Sequence, residues 1–300
     1  MLPFKFTKET IKVRFVKKTS MNNLELIKIA SQVRRDIVRM VSNVSSGHPG
    51  GSLGCADFFT LLYFDLMKHN PNSFEMTGYE EDVFYLSNGH ISPVWYSVLA
   101  RVGYFPINEL SSFRKISSRL QGHPSTDKGL PGIRMASGSL GQGLSVGIGN
   151  AQVKKLTGDK QLVYTLHGDG ELQEGQIWEA AMYAAFHKVD NLIATIDFNG
   201  RQIDGDVDDV MSLGDLKLKW QAFGWEVLVM NGHDYEEMKK TLSQAKDLTG
   251  NGKPIVILMK TEMGMGVDFM MGTHKWHGVA PNQEQLQSAL SQLEETLGDF

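Results

Sequence analysis

The sequence has little of several features that mark whole classes of protein. It contains a single cysteine, Cys55, so no internal disulfide can form, and a reducing compartment such as the cytoplasm fits this composition. No uninterrupted apolar run is long enough to span a bilayer, and no signal peptide of the usual form is present. The formal net charge is only −4, which gives no reason to expect binding to nucleic acid or to a membrane surface. We therefore expect a cytoplasmic protein with neither nucleic acid nor membrane among its partners.

Several common ligand-binding motifs are also missing. The glycines at 138, 141 and 143 lack the GxGxxG spacing of a dinucleotide-binding loop, and the sequence has no GxxxxGK[ST] loop. The acidic segment 204–209 lacks the spacing and distal glutamate of an EF-hand, which favours a solvated loop. Without an HExxH motif, His274 and His277 at i and i+3 are a weak candidate for zinc. Cys55 lies in an apolar run, where a buried structural thiol is more common than a nucleophile.

The periodicity of the apolar residues predicts strands that alternate with helices. Short β-branched runs predict four or five strands, among 82–87, 162–166, 191–198, 225–230 and 254–260. Helical spacing predicts helices at 22–44, 55–67, 91–102, 108–115, 141–156, 174–187, 212–222, 234–248 and 282–297. In the helix at 141–156, small residues (Gly143, Ser145, Gly147 and Gly149) would allow close packing on a neighbour. This alternation predicts an α/β fold with a doubly wound, mainly parallel sheet flanked by helices.

The first twenty residues differ from the rest of the chain. Residues 1–19 carry six lysines and arginines without a continuous apolar core. We interpret 1–20 as a basic extension, either loosely ordered or an arm that contacts another subunit, although a mistaken start site would give the same pattern. The predicted domain then covers residues 21–300.

Residues 162–205 form a predicted βαβ unit with polar side chains at both strand ends. Asp169 follows the first strand and Asn199 follows the second, thirty positions later. Parallel strands direct their carboxyl ends to the same edge of a sheet, where such folds bind ligands. A carboxylate and an amide oxygen suit Mg²⁺ or Ca²⁺, and magnesium often shares its coordination with a phosphorylated ligand. Taken singly, Gly-Asp-Gly and Phe-Asn-Gly are ordinary turns; together they favour a metal and diphosphate site.

The same region resembles the thiamine diphosphate signature, and it is most similar to that of transketolase. The resemblance rests on GDG at 168–170, LQEG at 172–175, NLIA at 191–194 and an asparagine thirty residues after the aspartate. It implies thiamine diphosphate and Mg²⁺, or Ca²⁺ or Mn²⁺, as cofactors. The implied metal ligands are Asp169, Asn199 and the backbone carbonyl of Arg201. An arginine at 201, where relatives often have an aliphatic residue, brings an unexplained charge to the site.

Four loop histidines lie in further motifs that resemble the same family: GHPG, SNGH, GHP and HGxAP. The resemblance implies that His48, His123 and His277 contact the substrate as catalytic groups, and that His90 and His277 contact the cofactor. The other implied cofactor-binding residues are Gly138, Ser139, Leu140, Asp169, Gly170, Glu174, Asn199 and Ile203. A lone loop histidine is usually a surface residue. A cluster contributed by four separate loops is difficult to explain structurally.

The resemblance covers only one part of a transketolase, the domain that binds the diphosphate. The glutamate that activates the cofactor belongs to the pyrimidine-binding domain, which nothing in this chain matches, while Glu174 and Glu179 match carboxylates between subunits. The resemblance therefore implies the N-terminal subunit of a split transketolase that acts on sugar phosphates. It would be active only with a C-terminal subunit, as an α2β2 heterotetramer. Two alternatives remain: a related enzyme for a sulfonated or branched ketose, and a non-catalytic regulatory or scaffold subunit.

Overall fold

The computed structural model describes residues 20–300. The predicted basic segment 1–19 lies outside the described residues, so its role stays a prediction, as does the boundary of the domain at residue 21. Within the described part of the chain, no helix is both long and apolar enough to cross a membrane.

Five parallel strands form the central sheet, as the apolar runs predict. Their spatial order is β1-β2-β3-β7-β6, and a separate two-stranded hairpin contains β4 and β5. The strands are β1 (Val83–Leu86), β2 (Val163–Gly168), β3 (Leu192–Phe198), β4 (Arg201–Gln202), β5 (Gly205–Asp206), β6 (Glu226–Asn231) and β7 (Ile255–Lys260). The register places Gly168 of β2 beside Asp197 of β3. The segments that follow these two strands therefore leave the sheet side by side.

Ten α-helices flank the two faces of this sheet in the described residues. They are α1 (Asn23–Asn43), α2 (Pro49–Gly54), α3 (Ala56–Leu61), α4 (Ser92–Val102), α5 (Gln142–Thr157), α6 (Gly175–Phe186), α7 (Val207–Met211), α8 (Leu216–Ala222), α9 (Tyr235–Leu248) and α10 (Gln283–Gln292). Helix α1 begins at a capping box, in which Asn22 and Glu25 bond each other's backbone N–H groups. Asp234 caps α9 through the N–H groups of Glu236 and Glu237.

Each strand contributes alternate side chains to two separate hydrophobic cores. On β1, Phe84 and Leu86 pack into the core formed with α1, α3, α4 and α9, whereas Val83 and Tyr85 pack into the core formed with α5, α6 and α8. This alternation is the period of two that extended backbone imposes. The connection from β6 back to β7 runs in the opposite direction to the earlier crossovers. Because such crossovers are right-handed, α9 lies on the face opposite α6 and α8.

Small residues let α5 approach the sheet closely. A Cβ atom added at Gly147 would lie 2.5 Å from Thr165 Cγ2, and one at Gly143 would collide with Ser87. The predicted close packing is therefore confirmed at these two positions. At Gly149 the prediction is wrong, since no atom lies within 4 Å of an added Cβ.

Several predicted elements differ from the structure at their ends. Residues 48–52, predicted as a loop, enter helix α2 with Pro49 in its first turn. The predicted helix 55–67 ends its α-helical part at Leu61 and widens into one π turn, and 108–115 is a 3₁₀ helix at Ile107–Ser112. The acidic segment 204–209, predicted as a solvated loop, forms β5 and starts α7. The helices predicted at 212–222 and 282–297 are shorter, at Leu216–Ala222 and Gln283–Gln292.

Candidate active site

A cavity of about 390 Å³ lies at the carboxyl edge of β1, β2 and β3. It occupies the place where parallel α/β sheets bind ligands. Every predicted site residue except Ser139 lines it: His48, His90, His123, Gly138, Leu140, Asp169, Gly170, Glu174, Asn199, Arg201, Ile203 and His277. Ser139 is exposed beside it. The structure thus brings together residues from six separate segments of the chain.

Asp169 is the buried carboxylate at the end of β2. Its Oδ1 accepts a hydrogen bond from Gly170 N at 2.8 Å, and its Oδ2 accepts one from Gly200 N at 2.5 Å. Burial, followed by the nearby Asp197 carboxylate, raises the pKa of Asp169 to about 7, against these two N–H donors. A cation would offset this cost of ionising Asp169, because an opposite charge favours the carboxylate form.

Asn199 sits beside Asp169 at the end of β3. Its Nδ2 donates to Asp197 Oδ2 at 3.0 Å, and its Oδ1 accepts from Arg201 N at 2.9 Å. These two bonds fix the amide so that its oxygen and nitrogen are distinguished. The guanidinium of Arg201 pairs with Asp206 at 2.6 Å. This ion pair accounts for the charge at position 201 that the sequence alone does not explain.

Glu171 connects three segments around the cavity. Its buried carboxylate accepts hydrogen bonds from Ser87 Oγ, from Gly141 N at 2.7 Å and from Gly168 N at 3.0 Å. Burial acts to raise the pKa of Glu171, but the neighbouring His167 imidazole ring, Ser87 and Gly141 outweigh it and lower the pKa. An ionised Glu171 therefore holds the end of β1, the 141 loop and the end of β2 in one arrangement.

Four imidazole rings face one another in the same cavity. The ring centroid of His48 lies 5.1 Å from that of His90, 5.8 Å from that of His277 and 6.4 Å from that of His123. The centroids of His90 and His277 are 5.0 Å apart. His48 precedes the first turn of α2, His90 follows β1, and the other two come from long loops. The four histidines are adjacent only because the fold brings these segments to one edge of the sheet.

The histidines are arranged to be neutral at physiological pH. Burial lowers the pKa of His48 to about 4, with further contributions from His277 and Arg114. Burial is also the largest cause of the lowered pKa values of His90, His123 and His277. A neutral imidazole has one nitrogen that donates and one that accepts, so each ring can exchange a proton with a sugar hydroxyl in either direction.

The residues present fit a thiamine diphosphate and divalent metal complex. Four buried polar atoms that line the cavity have no protein partner: His48 Nδ1, Asn88 Oδ1, Gln202 Oε1 and His277 Nδ1. Buried polar groups usually have partners, so this concentration indicates that a polar ligand completes them. Gly170 adds space for it, because a Cβ there would lie 2.9 Å from Gln202 Oε1. Asp169 and Asn199 supply the hard oxygen atoms that Mg²⁺ prefers.

Sequence reasoning missed several residues of this site. Asn88 and Met263 line the cavity, and Asp197 anchors Asn199 while accepting a hydrogen bond from Thr261. One signal was available for Asp197, since it is the one charged residue of the otherwise apolar strand β3. Glu171 carried no comparable signal, because its partners come from positions 87 and 141.

Behind the cavity, a buried polar network holds the loop that carries Met263. Asp57 pairs with Arg34 at 2.6 Å and accepts a hydrogen bond from His233 Nδ1 at 2.9 Å. His233 Nε2 accepts from Glu262 N at 2.8 Å, so the ring is neutral with its proton on Nδ1. Burial acts to raise the pKa of Asp57, but Arg34 and His233 outweigh it and lower the pKa to about 2. The network fixes the backbone just before Met263.

Two weaker candidates are also resolved by their positions. Cys55 is fully buried, and burial followed by the charge of Asp197 raises the pKa of its thiol. The predicted structural thiol is therefore confirmed, because a nucleophilic cysteine needs a lowered pKa. His277 faces His48 and His90, and residues 20–300 contain no cluster of three or more His, Cys, Asp or Glu suited to a metal.

Comparison with known proteins gives consistent matches. The family described as the thiamine diphosphate binding domain of transketolase matches residues 27–296. One of the two named subunits of apulose-4-phosphate transketolase from Phocaeicola vulgatus is 39% identical over 264 residues, which are 88% of this chain and 92% of that protein. The 6-deoxy-6-sulfo-D-fructose transketolase subunit SqwG of a Clostridium species is 38% identical over 276 residues, covering 92% and 98%.

Longer transketolases match through part of their length. Human transketolase is 34% identical over 252 residues, which are 83% of this chain and 39% of that protein. The crystal structure of transketolase from Campylobacter jejuni superposes with a TM-score of 0.83 at 36% identity, over 91% of this chain and 43% of that one. The chain thus spans less than half the length of these longer relatives.

Proposed function

Because the chain belongs to the transketolase family through its thiamine diphosphate binding domain, we propose that it is the N-terminal subunit of a two-chain transketolase. The reaction is the reversible transfer of a two-carbon ketol group from a ketose phosphate to an aldose phosphate. The observation that carries this proposal is the convergence of four neutral imidazoles beside Asp169 and Asn199 at one edge of the sheet.

The side chains of the cavity divide into two groups by their chemistry. Asp169, Asn199 and the Arg201 carbonyl would hold the divalent ion, Mg²⁺ or alternatively Ca²⁺ or Mn²⁺. His90, with the backbone at Gly138–Leu140 and at Gly170, would hold the cofactor, and Glu174 and Ile203 would complete its surroundings. When bound, thiamine diphosphate supplies the nucleophilic carbon and the electron sink for cleavage between C2 and C3 of the ketose.

The histidines would carry out the proton transfers on the sugar. His48, His123 and His277 lie around the same space, and their lowered pKa values keep the accepting nitrogen free near neutral pH. A neutral imidazole can take the proton of a ketose hydroxyl during bond cleavage and return it during bond formation. The same rings therefore serve both directions of a reversible transfer.

A partner chain is part of this proposal. Proteins named as single subunits of a transketolase match this chain over nearly their whole length, which supports a second chain that carries the pyrimidine-binding domain. The exposed carboxylates Glu174 and Glu179 lie beside the cavity and on α6, where a second chain could reach them. We propose an α2β2 assembly in the cytoplasm.

A second candidate is a transketolase for an unusual ketose. It is favoured by the substrates in the names of two similar proteins, apulose 4-phosphate and 6-deoxy-6-sulfo-D-fructose. One is a branched sugar phosphate and the other carries a sulfonate. An assay with common, branched and sulfonated ketoses separates the two candidates. A non-catalytic subunit is disfavoured, because the residues expected to hold the metal and cofactor are present.

The test is calorimetric binding of thiamine diphosphate with and without Mg²⁺, followed by a ketol-transfer assay, on the chain alone and with a candidate C-terminal subunit. We expect magnesium-dependent binding and turnover only in the mixture. Asp169→Asn should weaken that binding at least tenfold, whereas Asp208→Asn, which removes an exposed carboxylate outside the cavity, should not. Turnover by the isolated chain would refute the need for a partner, and no binding in either sample would refute the proposed function.

A further inference from the structure

Arg114 is a half-buried cation without a counter-charge. Its Nη1 donates to Ser46 Oγ at 2.8 Å, while its Nε is buried and has no partner. Within residues 20–300 no carboxylate pairs with it, and burial lowers its pKa with only Tyr96 acting in the other direction. The neighbouring Arg119, by contrast, forms a two-point ion pair with Glu109 at 2.8 and 2.9 Å. Proteins seldom bury an arginine in this way without an anion.

The backbone is shaped to hold this side chain in place. Arg114 has a φ of 57°, a left-handed conformation that is uncommon for a residue with a side chain. Its N–H donates to Leu120 O at 2.8 Å, which closes the turn. The guanidinium lies against Gly122, where an added Cβ would approach Arg114 Cζ to 2.7 Å. A strained residue held by its surroundings is a reason to look for a function.

The position of Arg114 connects it to the proposed active site. A shallow cavity of about 360 Å³ is lined by Arg114, Gly122, His123 and Lys128, and His123 also lines the central cavity. Asp127 borders the shallow cavity too, but it pairs with Lys128 at 3.4 Å. Arg114 is close enough to His48 and His123 for its charge to contribute to their lowered pKa values, after burial. A continuous concave surface therefore leads from the imidazoles past His123 to the guanidinium.

We propose that Arg114 binds the terminal oxyanion of the sugar substrate, a phosphate or a sulfonate, when the reacting end lies among the histidines. This inference rests on the proposed function and names a substrate determinant within this chain. The planar guanidinium presents paired N–H donors that match two oxygens of such a group. Binding an oxyanion there would give the unpartnered Nε an acceptor and supply the missing counter-charge.

The kinetic test compares charged and neutral sugars with the holoenzyme, formed from this chain, its C-terminal partner, thiamine diphosphate and Mg²⁺. For Arg114→Ala we expect KM for ribose 5-phosphate as acceptor to rise at least tenfold, because a charge-assisted contact is lost. Transfer from erythrulose to glycolaldehyde, neither of which carries a charge, should change less than twofold. Arg114→Lys should give an intermediate KM, and Arg119→Ala should leave both reactions unchanged. A loss equal for charged and neutral sugars, or no loss, would overturn the proposal.

A phosphorylated and a sulfonated ketose used as donors show which oxyanion the site takes, through the larger rise in KM. A second measurement does not depend on activity or on a variant that folds. In the wild-type chain, inorganic phosphate or sulfate should slow the modification of Arg114 by phenylglyoxal, followed by peptide mass spectrometry, and leave Arg119 unaffected. Equal modification with and without these anions would refute the anion site. Protection without ketol transfer by the holoenzyme would instead refute the proposed function and leave the anion site standing.

Discussion

Replacing Glu171 with glutamine should destabilise the chain although the two side chains have nearly the same shape. The carboxylate faces three donors, namely Ser87 Oγ, Gly141 N and Gly168 N, and it can accept from all of them. An amide has one oxygen and one NH₂ group, so at least one of these buried donors would face another donor. Glu171→Gln therefore tests whether the carboxylate ties the three segments together.

The size of the effect follows from these contacts. A buried N–H without an acceptor costs about 1–3 kcal/mol, and the remaining hydrogen bonds lose the benefit of a charged acceptor, about 1 kcal/mol each. An amide is less costly to bury than a carboxylate, which offsets part of this loss. We expect a net loss of about 2 kcal/mol in the free energy of unfolding, or a fall in Tm of about 4–8 °C for a chain of this size.

Urea unfolding of the isolated chain at pH 7, followed by circular dichroism, measures this difference. Glu179→Gln serves as the matched control, since Glu179 is exposed on α6 and its substitution should change stability by less than about 0.5 kcal/mol. If Glu171→Gln were as stable as the control, the carboxylate would not be holding the three donors. The inference that it positions the end of β2 would then fail.

Two further predictions concern buried titratable groups. Asp57→Asn leaves Arg34 buried without its counter-charge and should cost about 3–5 kcal/mol at pH 7 by urea unfolding; because the folded pKa of Asp57 is about 2, the wild-type advantage should shrink as the pH falls from about 4 towards 2, and a loss under about 1 kcal/mol would contradict this. The folded pKa of His48 is about 4, below its unfolded value of about 6.5, so unfolding takes up a proton as the pH falls between them. His48→Gln should therefore lose about 1–2 kcal/mol less stability than wild type between pH 7.5 and 5, and equal losses would refute the assignment.

The fold class was predictable because its signals are local. Each strand of the sheet is buried on both faces by helices, so it reads in the sequence as a short apolar run. Helices with a side-chain cap, such as those at Asn22 and Asp234, were also predicted close to their observed starts. The errors concern ends without such a signal. Helix α10 ends at Gln292 and α3 changes to a π turn after Leu61, because tertiary contacts rather than caps decide those positions.

The candidate site was predictable only where residues lie in recognisable motifs. The four histidines, Asp169 and Asn199 were named from short patterns, and the fold gathers them around one cavity. Their roles stay predictions until binding and activity are measured. Glu171 and Asn88 were missed because their importance depends on neighbours far away in sequence. Arg114 was missed for a related reason, since the absence of a partner is visible only in three dimensions.

The strand order also has a consequence for how the chain folds as it is synthesised. Strand β7 lies between β3 and β6, although both of these precede it in the sequence. Until residues 255–260 leave the ribosome, the apolar strands β3 and β6 each expose an unpaired edge facing the gap. Unpaired edges of this kind favour aggregation, and distant pairings such as Ile193 with Ile255 form slowly. We expect the addition of β7 to be the step that closes the sheet and protects the nascent chain.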